Sequence, residues 1–221
     1  MSARSNAGRI GIWGRSGSGK SSYAKKLLKG RRRVVVFDPL DEYSAEGIKR
    51  TAGHDLDAVR VAMRGNWSRF RLAYVPPAGS EDRALSGLCR LLMAAQEPFR
   101  ASGKGAQITL VVEELNMSFP SSGGVQKCPG FAEICSRGRH YGIEVIGLSQ
   151  RLAEVNTRFR GNCTETVIFA QKGPRDQKAA REELGAGVAL PTSNLQYVRE
   201  KGGEYETGEL KFSKSKKHYV V

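Results

Sequence analysis

Short apolar segments alternate along this chain with segments whose apolar residues recur at helical spacing. Several of the apolar segments contain few polar residues and at least three consecutive apolar ones, which indicates strands that are buried on both faces. We predict strands at residues 9–13, 33–37, 69–75, 107–113, 143–148 and 166–170. Helical periodicity predicts helices at residues 20–29, 55–64, 81–100, 131–140, 152–159 and 175–184. Strands that alternate with helices predict an α/β fold of three layers around a mainly parallel sheet.

The two ends of the chain differ from this alternating part. Residues 1–33 contain ten Lys or Arg and no acid. Residues after about 190 are polar and hairpin-like, and they end in a second cluster of lysines, Lys211, Lys214, Lys216 and Lys217. We therefore divide the chain into a basic N-terminal arm at residues 1–8, a core domain at residues 9–190, and a β-hairpin-like appendage with a Lys-rich tail at residues 191–221.

The charge of the chain adds a second expectation. Of its 221 residues, 36 are Lys or Arg and 22 are Asp or Glu, which gives a formal net charge of +14 and an isoelectric point near 9.9. Such a surplus points to a polyanionic partner, with nucleic acid as the first expectation and an anionic membrane surface as the main alternative. No apolar run approaches the roughly 18 residues of a membrane span, and the first residues do not resemble a signal peptide. We therefore expect a cytoplasmic protein with no membrane span.

The cysteines and histidines do not form a recognisable metal site. The four cysteines, Cys89, Cys128, Cys135 and Cys163, include no CxxC pair, and the three histidines are scattered. We expect reduced, buried thiols, since a chain of this length can bury a sufficient core without disulfides or a structural metal.

One segment matches the phosphate-binding pattern G-x-x-x-x-G-K-[ST] between a predicted strand and a predicted helix. Its glycines let backbone N–H groups approach phosphates, its lysine would reach the β- and γ-phosphates, and its last serine would bind Mg²⁺. The positive end of the following helix adds to this anion site. A chance Gly-Ser-rich turn would not explain the flanking strand and amphipathic helix. The predicted nucleotide-binding residues are Gly14, Arg15, Ser16, Gly17, Ser18, Gly19, Lys20 and Ser21.

Two adjacent acids end the predicted strand at residues 107–113. We expect Glu113 to hold the water shell of a Mg²⁺ ion that Ser21 also binds, and Glu114 to orient and deprotonate the attacking water. The alternative is an ordinary strand end with two solvated acids. Together with the phosphate loop, the pair favours an NTPase that activates water over kinases and GTPases, many of which lack the second acid.

A glutamine and two arginines flank the predicted strand at residues 143–148. Gln150 would contact the γ-phosphate or the attacking water if this strand lies between the phosphate-loop strand and the acidic strand. Arg137 and Arg139 would act as fingers supplied to a neighbouring subunit, where they neutralise charge in the transition state. The alternative is a basic helix end that complements the helix dipole.

In this order, the motifs resemble the HerA/FtsK superfamily of ring-forming ATPases that pump nucleic acid. The matching segments are GRSGSGKS, VVVFDPLDEY, LVVEE and GRHYGIEVIGLSQR, and the resemblance covers about residues 9–185. It implies a P-loop NTPase fold of the RecA-like, ASCE type. Within the superfamily the chain looks most like the small packaging ATPases of membrane-containing, double-jelly-roll viruses and phages. That group implies ATP and Mg²⁺ as cofactors, a homo-oligomer in the form of a hexameric ring, double-stranded DNA as substrate, and capsid or packaging-vertex proteins as partners, in the host cytoplasm or at the virion vertex.

The chain departs from this family at the acidic pair. The family usually has Asp-Glu where this chain has Glu113-Glu114, and the longer side chain of Glu113 is chemically compatible with metal binding. The resemblance does not single out one finger, because Arg137, Arg139 and Arg151 all lie close to the matching segment.

Residues 116–130 directly follow the acidic pair and are rich in Gly, Ser and Pro. Such loops are often mobile and functional, so in a ring this one would face the pore, with Lys127 meeting phosphates; a surface connection without function is the alternative. The basic arm and the Lys-rich tail offer further phosphate contacts. Since no helix-turn-helix or zinc finger is evident, we expect binding to the DNA backbone without sequence preference.

The sequence leaves three other functions open beside an ATP-hydrolysing translocase of double-stranded DNA for viral or phage genome packaging. The first is a related motor for filamentous-phage assembly or plasmid transfer. The second is a small-molecule or nucleoside kinase, which would need neither Glu114 nor the charge of +14. The third is a non-enzymatic, nucleotide-gated DNA-binding module.

Overall fold

The computed structural model describes residues 7–43, 48–185 and 187–211. The strands in this part of the chain are β1 (Arg9–Trp13), β2 (Arg33–Phe37), β3 (Lys49–Ala52), β4 (Phe70–Val75), β5 (Ile108–Val112), β6 (Ile143–Ser149), β7 (Glu165–Phe169), β8 (Gln196–Lys201) and β9 (Glu204–Glu209). They form one sheet in the order β3-β4-β2-β5-β6-β1-β7-β8-β9. The first seven of these positions are joined by parallel pairs, and β8 and β9 are added antiparallel.

Helices cover both faces of this sheet. The described helices are α1 (Lys20–Leu27), α2 (Asp57–Gly65), α3 (Glu81–Ala95), α4 (Glu97–Ser102), α5 (Leu115–Ser118), α6 (Gly124–Lys127), α7 (Pro129–Arg137), α8 (Thr157–Arg160) and α9 (Pro174–Leu184). Residues of α1 pack with Val34 and Val36 on one face, whereas residues of α2, α3, α7 and α9 pack with Val35 and Phe37 on the other. Successive strand residues point to opposite faces, so each strand serves both cores. The predicted three-layer α/β fold is confirmed.

Burial on both faces explains why the strands are apolar throughout. Every residue of β1, β2, β5 and β7 is buried. The strand that the sequence pattern missed is β3, whose residues Lys49–Ala52 are mostly exposed. It pairs with β4 alone and forms the edge of the described sheet, where one polar face is tolerated. An edge strand of this kind lacks the apolar pattern that identifies the central strands.

The helix predicted at residues 81–100 is wrong as one continuous element. It divides at Gln96, which ends α3 and precedes α4. Pro98 has no N–H to donate to the preceding turn, so the helix cannot continue unbroken. The side chain of Gln96 is buried, and its Nε2 donates to the backbone oxygen of Tyr141 over 3.0 Å. This hydrogen bond joins the junction of α3 and α4 to the segment that leads into β6.

Two other predicted helices are shorter than expected. The helix at residues 131–140 ends at Arg137 and continues only as the 3₁₀ turn Gly138–Tyr141. The helix at residues 152–159 is a 3₁₀ turn, Leu152–Glu154, followed after two extended residues by α8. Asn156 accounts for this second start, since its side-chain oxygen accepts from the backbone N–H of Arg158 over 3.0 Å.

Residues 116–130 are not the irregular loop that their composition suggests. They include α5 and α6, and Phe119 and Cys128 within them are fully buried. The side-chain N–H of Asn156 donates to the backbone oxygens of Pro120 and Ser121 over 3.1 and 3.2 Å. The segment is therefore packed against the core, and Lys127 is an exposed residue at the end of α6.

The predicted C-terminal appendage is a β-hairpin that extends the main sheet. β8 pairs with β7, and β9 pairs with β8, both antiparallel. Tyr197 of β8 is buried, and its ring lies 4.9 Å from that of Tyr23 and 5.6 Å from that of Phe169. The hairpin thus shares a core with α1. Residues 1–6 of the predicted basic arm at residues 1–8, and the tail from residue 212 onwards, lie outside the described residues.

Candidate active site

The predicted site residues other than Arg137 and Arg139 meet at the carboxyl edge of the sheet. The phosphate loop follows β1, the acidic pair follows β5, and Gln150 follows β6, which lies between these two strands. The strand order that Gln150 requires is therefore present. Because the carboxyl ends of parallel strands share one edge, three distant parts of the sequence converge on one site.

Local backbone geometry explains the glycines of the phosphate loop. Gly17 and Gly19 have φ angles of 70° and 107°, in the left-handed region that side chains disfavour. A Cβ at Gly14 would lie 2.5 Å from the Cβ of Phe169, so only glycine fits there. α1 begins directly after the loop at Lys20, and its first turn contains no acid. The first turn of the helix therefore has no carboxylate of its own that would weaken its attraction for an anion.

Lys20 is buried in the loop, and its charge is only partly compensated. Its Nζ donates to the backbone oxygen of Arg15 over 3.2 Å. Burial lowers the pKa of Lys20, and the nearby carboxyls of Glu114 and Glu113 act in the opposite direction. Within the described residues, the Oγ of Ser18 is buried without a hydrogen-bond partner. The loop thus has a buried cation and a buried hydroxyl that an anionic ligand would satisfy.

Glu113 is a buried carboxyl at the end of β5. The hydroxyl of Tyr43 donates to its Oε1 over 2.6 Å, and Ser21 also hydrogen-bonds to it. Burial raises the pKa of Glu113 to about 7, although both hydrogen bonds act to lower it. Tyr43 is positioned by Asp38, whose carboxylate accepts from the backbone N–H of Tyr43 over 2.8 Å. Sequence reasoning assigned no role to Tyr43, although it ends the segment VVVFDPLDEY.

Glu114 has an unusual backbone conformation. Its φ and ψ are 43° and 52°, a left-handed conformation that few non-glycine residues adopt. Its Oε1 accepts from Nε2 of Gln150 over 2.7 Å, and its side chain is half-buried. Such backbone strain occurs mostly at functional sites, where the surroundings hold it in place. The predicted pair of Glu114 and Gln150 is thus in direct contact.

Two further polar residues complete this edge. The Oγ of Ser149 lies 2.8 Å from Oδ1 of Asn116, and the backbone N–H of Arg151 donates to the same Oγ over 3.0 Å. Sequence reasoning missed Asn116, because it lies in the segment that composition marked as a loop. Arg151 forms ion pairs with Asp176 and Glu154, each at 2.9 Å. Arg151 is therefore engaged within its own chain.

Arg137 and Arg139 lie at the opposite edge of the sheet. Both precede β6, and both are exposed. Arg137 has one weak partner, Glu133, at 3.5 Å. Arg139 acts electrostatically on Arg9, the first residue of β1, whereas the phosphate loop follows the last residue of the same strand. Five residues of strand span about 16 Å, so neither arginine is brought to the phosphate loop of its own chain.

The C-terminal hairpin contacts the phosphate loop at both of its ends. Asn194 Oδ1 accepts from Nε of Arg15 over 2.9 Å, and the backbone N–H of Leu195 donates to the oxygen of Ser18 over 2.9 Å. Leu195 has a φ of 71°, and the side chains of Leu195 and Leu210 lie against Gly19. The sequence did not indicate these contacts, since a hairpin pattern does not reveal what its ends touch.

The remaining chemistry-bearing residues do not form a second centre. All four cysteines are free, and burial raises the pKa of the Cys128 thiol to about 12. Across residues 7–43, 48–185 and 187–211, no three His, Cys, Asp or Glu side chains are grouped as a metal site. None of the helices in these ranges is long and apolar enough to cross a membrane.

The fold and this edge define the chain as a protein with the P-loop ATPase fold. The structure is similar to that of the genome packaging NTPase B204 from Sulfolobus turreted icosahedral virus 2 in complex with AMPPCP, with a TM-score of 0.70 and 16% sequence identity over 93% of this chain and 98% of B204. It is also similar to B204, the DNA-packaging ATPase from Sulfolobus turreted icosahedral virus, with a TM-score of 0.61 and 18% identity over 93% and 98% of the two chains.

A longer protein has the same fold over part of its length. The pCW3 conjugation coupling protein TcpA matches with a TM-score of 0.58 and 16% identity, over 92% of this chain and 60% of TcpA. No family model matches the sequence, and no curated protein matches it either. At these identities the likeness establishes the fold, and the activity has to be argued from the site.

Proposed function

We propose that this chain is an ATPase that hydrolyses ATP to translocate double-stranded DNA, and that it works as a ring that packages a viral or phage genome. The observation that carries the proposal is the meeting of Lys20, Glu113, Glu114 and Gln150 at one edge of the sheet. The similarity to B204, which is described as a genome packaging NTPase, supports the packaging role. Such a motor would act in the host cytoplasm or at the packaging vertex of the virion.

The phosphate loop supplies the binding of ATP. The residues from Gly14 to Ser21 would surround the β- and γ-phosphates, with Lys20 as the cation for them. The buried, unpartnered hydroxyl of Ser18 fits this ligand, because a phosphate oxygen would accept its hydrogen bond. The lowered pKa of Lys20 reflects burial without a full counter-charge, which bound phosphate would provide.

Ser21 and Glu113 would hold the Mg²⁺ ion that accompanies ATP. Their oxygens suit this ion, which is usually bound by one or two carboxylates plus phosphates and water. The absence of a cluster of three acids among the described residues is compatible with that mode of binding. When bound, the ion would neutralise charge on the phosphates. Tyr43 fixes the orientation of Glu113 through its 2.6 Å hydrogen bond.

Glu114 would act as the general base. Its strained backbone directs the carboxylate along the edge towards the end of β6, where Gln150 holds it by hydrogen bonding. Gln150 has both a donor and an acceptor, so it would also position the attacking water or contact the γ-phosphate. The proton of the water would pass to Glu114 as the water oxygen bonds to the γ-phosphorus, and the bond from that phosphorus to the bridging oxygen would break to release ADP.

In a ring, a neighbouring subunit would supply the positive charge that stabilises the transition state at the γ-phosphate. Within one chain, Arg137 and Arg139 lie away from the phosphate loop, and Arg151 is held by Asp176 and Glu154. An exposed arginine with at most one weak ion pair is free to reach the ATP site of a neighbour. We therefore propose that Arg137 or Arg139 acts as the finger between subunits, and a hexamer is the arrangement that the family resemblance implies.

Motors for plasmid transfer remain a specific alternative. The fold match to the conjugation coupling protein TcpA favours this reading as a second candidate function. The chain spans about three fifths of TcpA. A small kinase explains neither the Glu114–Gln150 pair nor the net charge of +14.

The decisive experiment is to measure ATP hydrolysis by the full chain with and without duplex DNA. We expect DNA to stimulate hydrolysis and duplexes of unrelated sequence to act alike. DNA affinity should fall with salt at a log–log slope near −0.9 for each phosphate contacted. Hydrolysis that DNA does not alter, together with no DNA binding at low salt, would reject the translocase. Transfer of phosphate to a small acceptor in place of water would indicate a kinase.

A further inference from the structure

A groove with an apolar floor lies between α2 and α3, on the outer surface near the amino edge of the sheet. Its volume is about 430 Å³, and its floor is made by Met63, Leu91, Ala94 and Ala95. Arg60, Arg64 and Trp67 form its rim. The groove is remote from the phosphate loop, since Trp67 precedes β4 and the loop follows β1 at the other edge. The ATP site therefore does not account for it.

Trp67 is a large exposed side chain that the protein holds in one position. Its exposed fraction is 37%. The guanidinium of Arg33 lies 4.4 Å from its ring, and the ring of Phe70 lies 5.8 Å away. Arg33 is itself fixed, because Nη1 donates to the backbone oxygen of Ala106 over 2.9 Å. A preorganised tryptophan loses little entropy on binding, which is one reason that Trp and Arg dominate binding hot spots.

The charge around the groove has one sign. No acid occurs between Asp57 and Glu81, whereas this stretch contains Arg60, Arg64, Arg69 and Arg71. Arg60 is paired with Asp57 at 2.8 Å, but both side chains are about half exposed. Arg64 and Arg69 form no ion pair with any residue that the structure describes. An occupant of this groove would therefore be acidic at its edges.

We propose that this groove docks an acidic, amphipathic helical segment of a partner protein. The apolar face of such a helix would fill the floor beside Trp67, and its carboxylates would meet Arg60 and Arg64. A nucleobase fits less well, because Met63, Leu91 and the two alanines offer no hydrogen-bonding side chain to its edges. The groove is separate from the ATP and DNA roles proposed above, so it stands or falls independently of them.

Tryptophan fluorescence of the full chain tests this proposal. The chain has two tryptophans, and Trp13 is fully buried, so quenching by acrylamide reports on Trp67. The probe is a synthetic 16-residue helical peptide with leucines at i, i+3 and i+7 and glutamates on both flanks. We expect saturable protection of Trp67, and at least a tenfold loss of affinity in the double variant Arg60→Glu/Arg64→Glu. Lys26→Glu, an exposed change on α1 on the other face of the sheet, is the matched control.

A charge swap keeps the test interpretable if the double variant is less stable. A peptide with lysine in place of every glutamate should bind Arg60→Glu/Arg64→Glu more tightly than it binds the unchanged protein. The proposal is overturned if neither peptide protects Trp67 at millimolar concentration, or if protection is the same in both proteins. Protection by oligo(dT) but not by the acidic peptide would assign the groove to nucleic acid. Protection that rises with protein concentration alone would assign it to a second copy.

Discussion

The candidate catalytic residues at the two edges of the sheet are in opposite states of burial. At the carboxyl edge, Lys20 and Glu113 are buried, and Glu114 is held in a strained backbone conformation by its surroundings. At the amino edge, Arg137 and Arg139 are exposed and have at most one weak ion pair to their own chain. Burying charge is costly, so a fold retains it only where surrounding groups compensate or where function requires it.

This difference teaches which parts of the machinery one chain completes. The carboxyl edge contains a phosphate loop, a carboxyl for metal, a base and a polar group that contacts the base. Of the three candidate fingers, Arg151 lies at this edge and is ion-paired with Asp176 and Glu154, whereas Arg137 and Arg139 lie at the opposite edge. Arg137 and Arg139 at the amino edge are exposed, so packing does not fix them in one position for catalysis within their own chain. The comparison therefore assigns preorganised chemistry to one edge and intermolecular contacts to the other.

The strongest way to break this comparison is to remove the amino-edge arginines. We expect Arg137→Ala or Arg139→Ala to lower ATP turnover by about 10³ to 10⁵, the usual contribution of an arginine finger. ATP affinity should change little, because these residues lie away from the phosphate loop of their own chain. Turnover of each single variant, with DNA present, is the measurement.

Mixing subunits decides whether the arginine acts on a neighbour. The more damaging variant should be combined with Lys20→Ala, each inactive alone. Some interfaces in the mixed ring would pair an intact phosphate loop with an intact finger, so turnover should partly return. No recovery, where labelled subunits are seen to exchange, would mean that the arginine acts within its chain or is structural. A monomer that hydrolyses ATP at full rate with DNA would refute the ring.

A second prediction concerns the carboxyl edge itself. Glu114→Gln should lower turnover by at least about a hundredfold and leave ATP affinity intact, because the amide keeps the shape and hydrogen bonding but cannot accept the proton. Lys20→Ala should instead weaken productive nucleotide binding. Glu204→Gln, at an exposed position of β9, is the matched control for removing one carboxylate. Near-normal turnover of Glu114→Gln would exclude this residue as the base.

The third and smallest effect is on stability. Burial raises the pKa of Glu113 from an ordinary value of 4.5 to about 7. Between these values the unfolded chain releases the proton that the folded chain keeps, so the free energy of unfolding falls as the pH rises through this window. Glu113→Gln removes the ionisable group, and with it this loss of stability at high pH. Without nucleotide it should stabilise the protein at pH 8 by up to roughly 3 kcal/mol, and the gain should fade towards pH 4.

Urea unfolding at these two pH values measures this effect. The exposed carboxyl of Glu204 provides a control, since Glu204→Gln should change stability little at either pH. An equal gain at both pH values would show that the stabilisation comes from packing and not from proton release. A loss of stability at pH 8 would mean that the charge of Glu113 is well compensated in the folded protein.

Much of the fold and half of the site followed from local patterns. Apolar strands and the phosphate loop were predictable because burial on both faces and phosphate binding impose residue types at fixed spacing. The place of Gln150 at this edge was predicted only on the condition that its strand lies between the phosphate-loop strand and the acidic strand, and sequence does not reveal strand order. β3 was missed because an exposed edge strand needs no apolar residues.

The remaining residues depend on tertiary contacts that no spacing encodes. Tyr43 reaches Glu113 across 70 positions of sequence, and Gln96 bonds to Tyr141 across 45. The position of Arg137 and Arg139 could have been derived, however. A segment that precedes a parallel strand lies at the edge opposite to residues that follow it, so these arginines and Gln150 could not share an edge.

The contacts between the hairpin and the phosphate loop have a practical consequence for experiments on the basic tail. Leu210 packs against Gly19, and its backbone N–H donates to the oxygen of Leu195, whose own N–H is bonded to Ser18. The polypeptide that continues into the tail therefore starts beside the ATP site. Truncation after Lys211 removes Lys214, Lys216 and Lys217 but keeps Leu210, whereas truncation a few residues earlier also removes support from the phosphate loop. Truncation after Lys211 is therefore the variant that tests the role of the tail in DNA binding without removing the contacts of Leu210 with the phosphate loop and with Leu195.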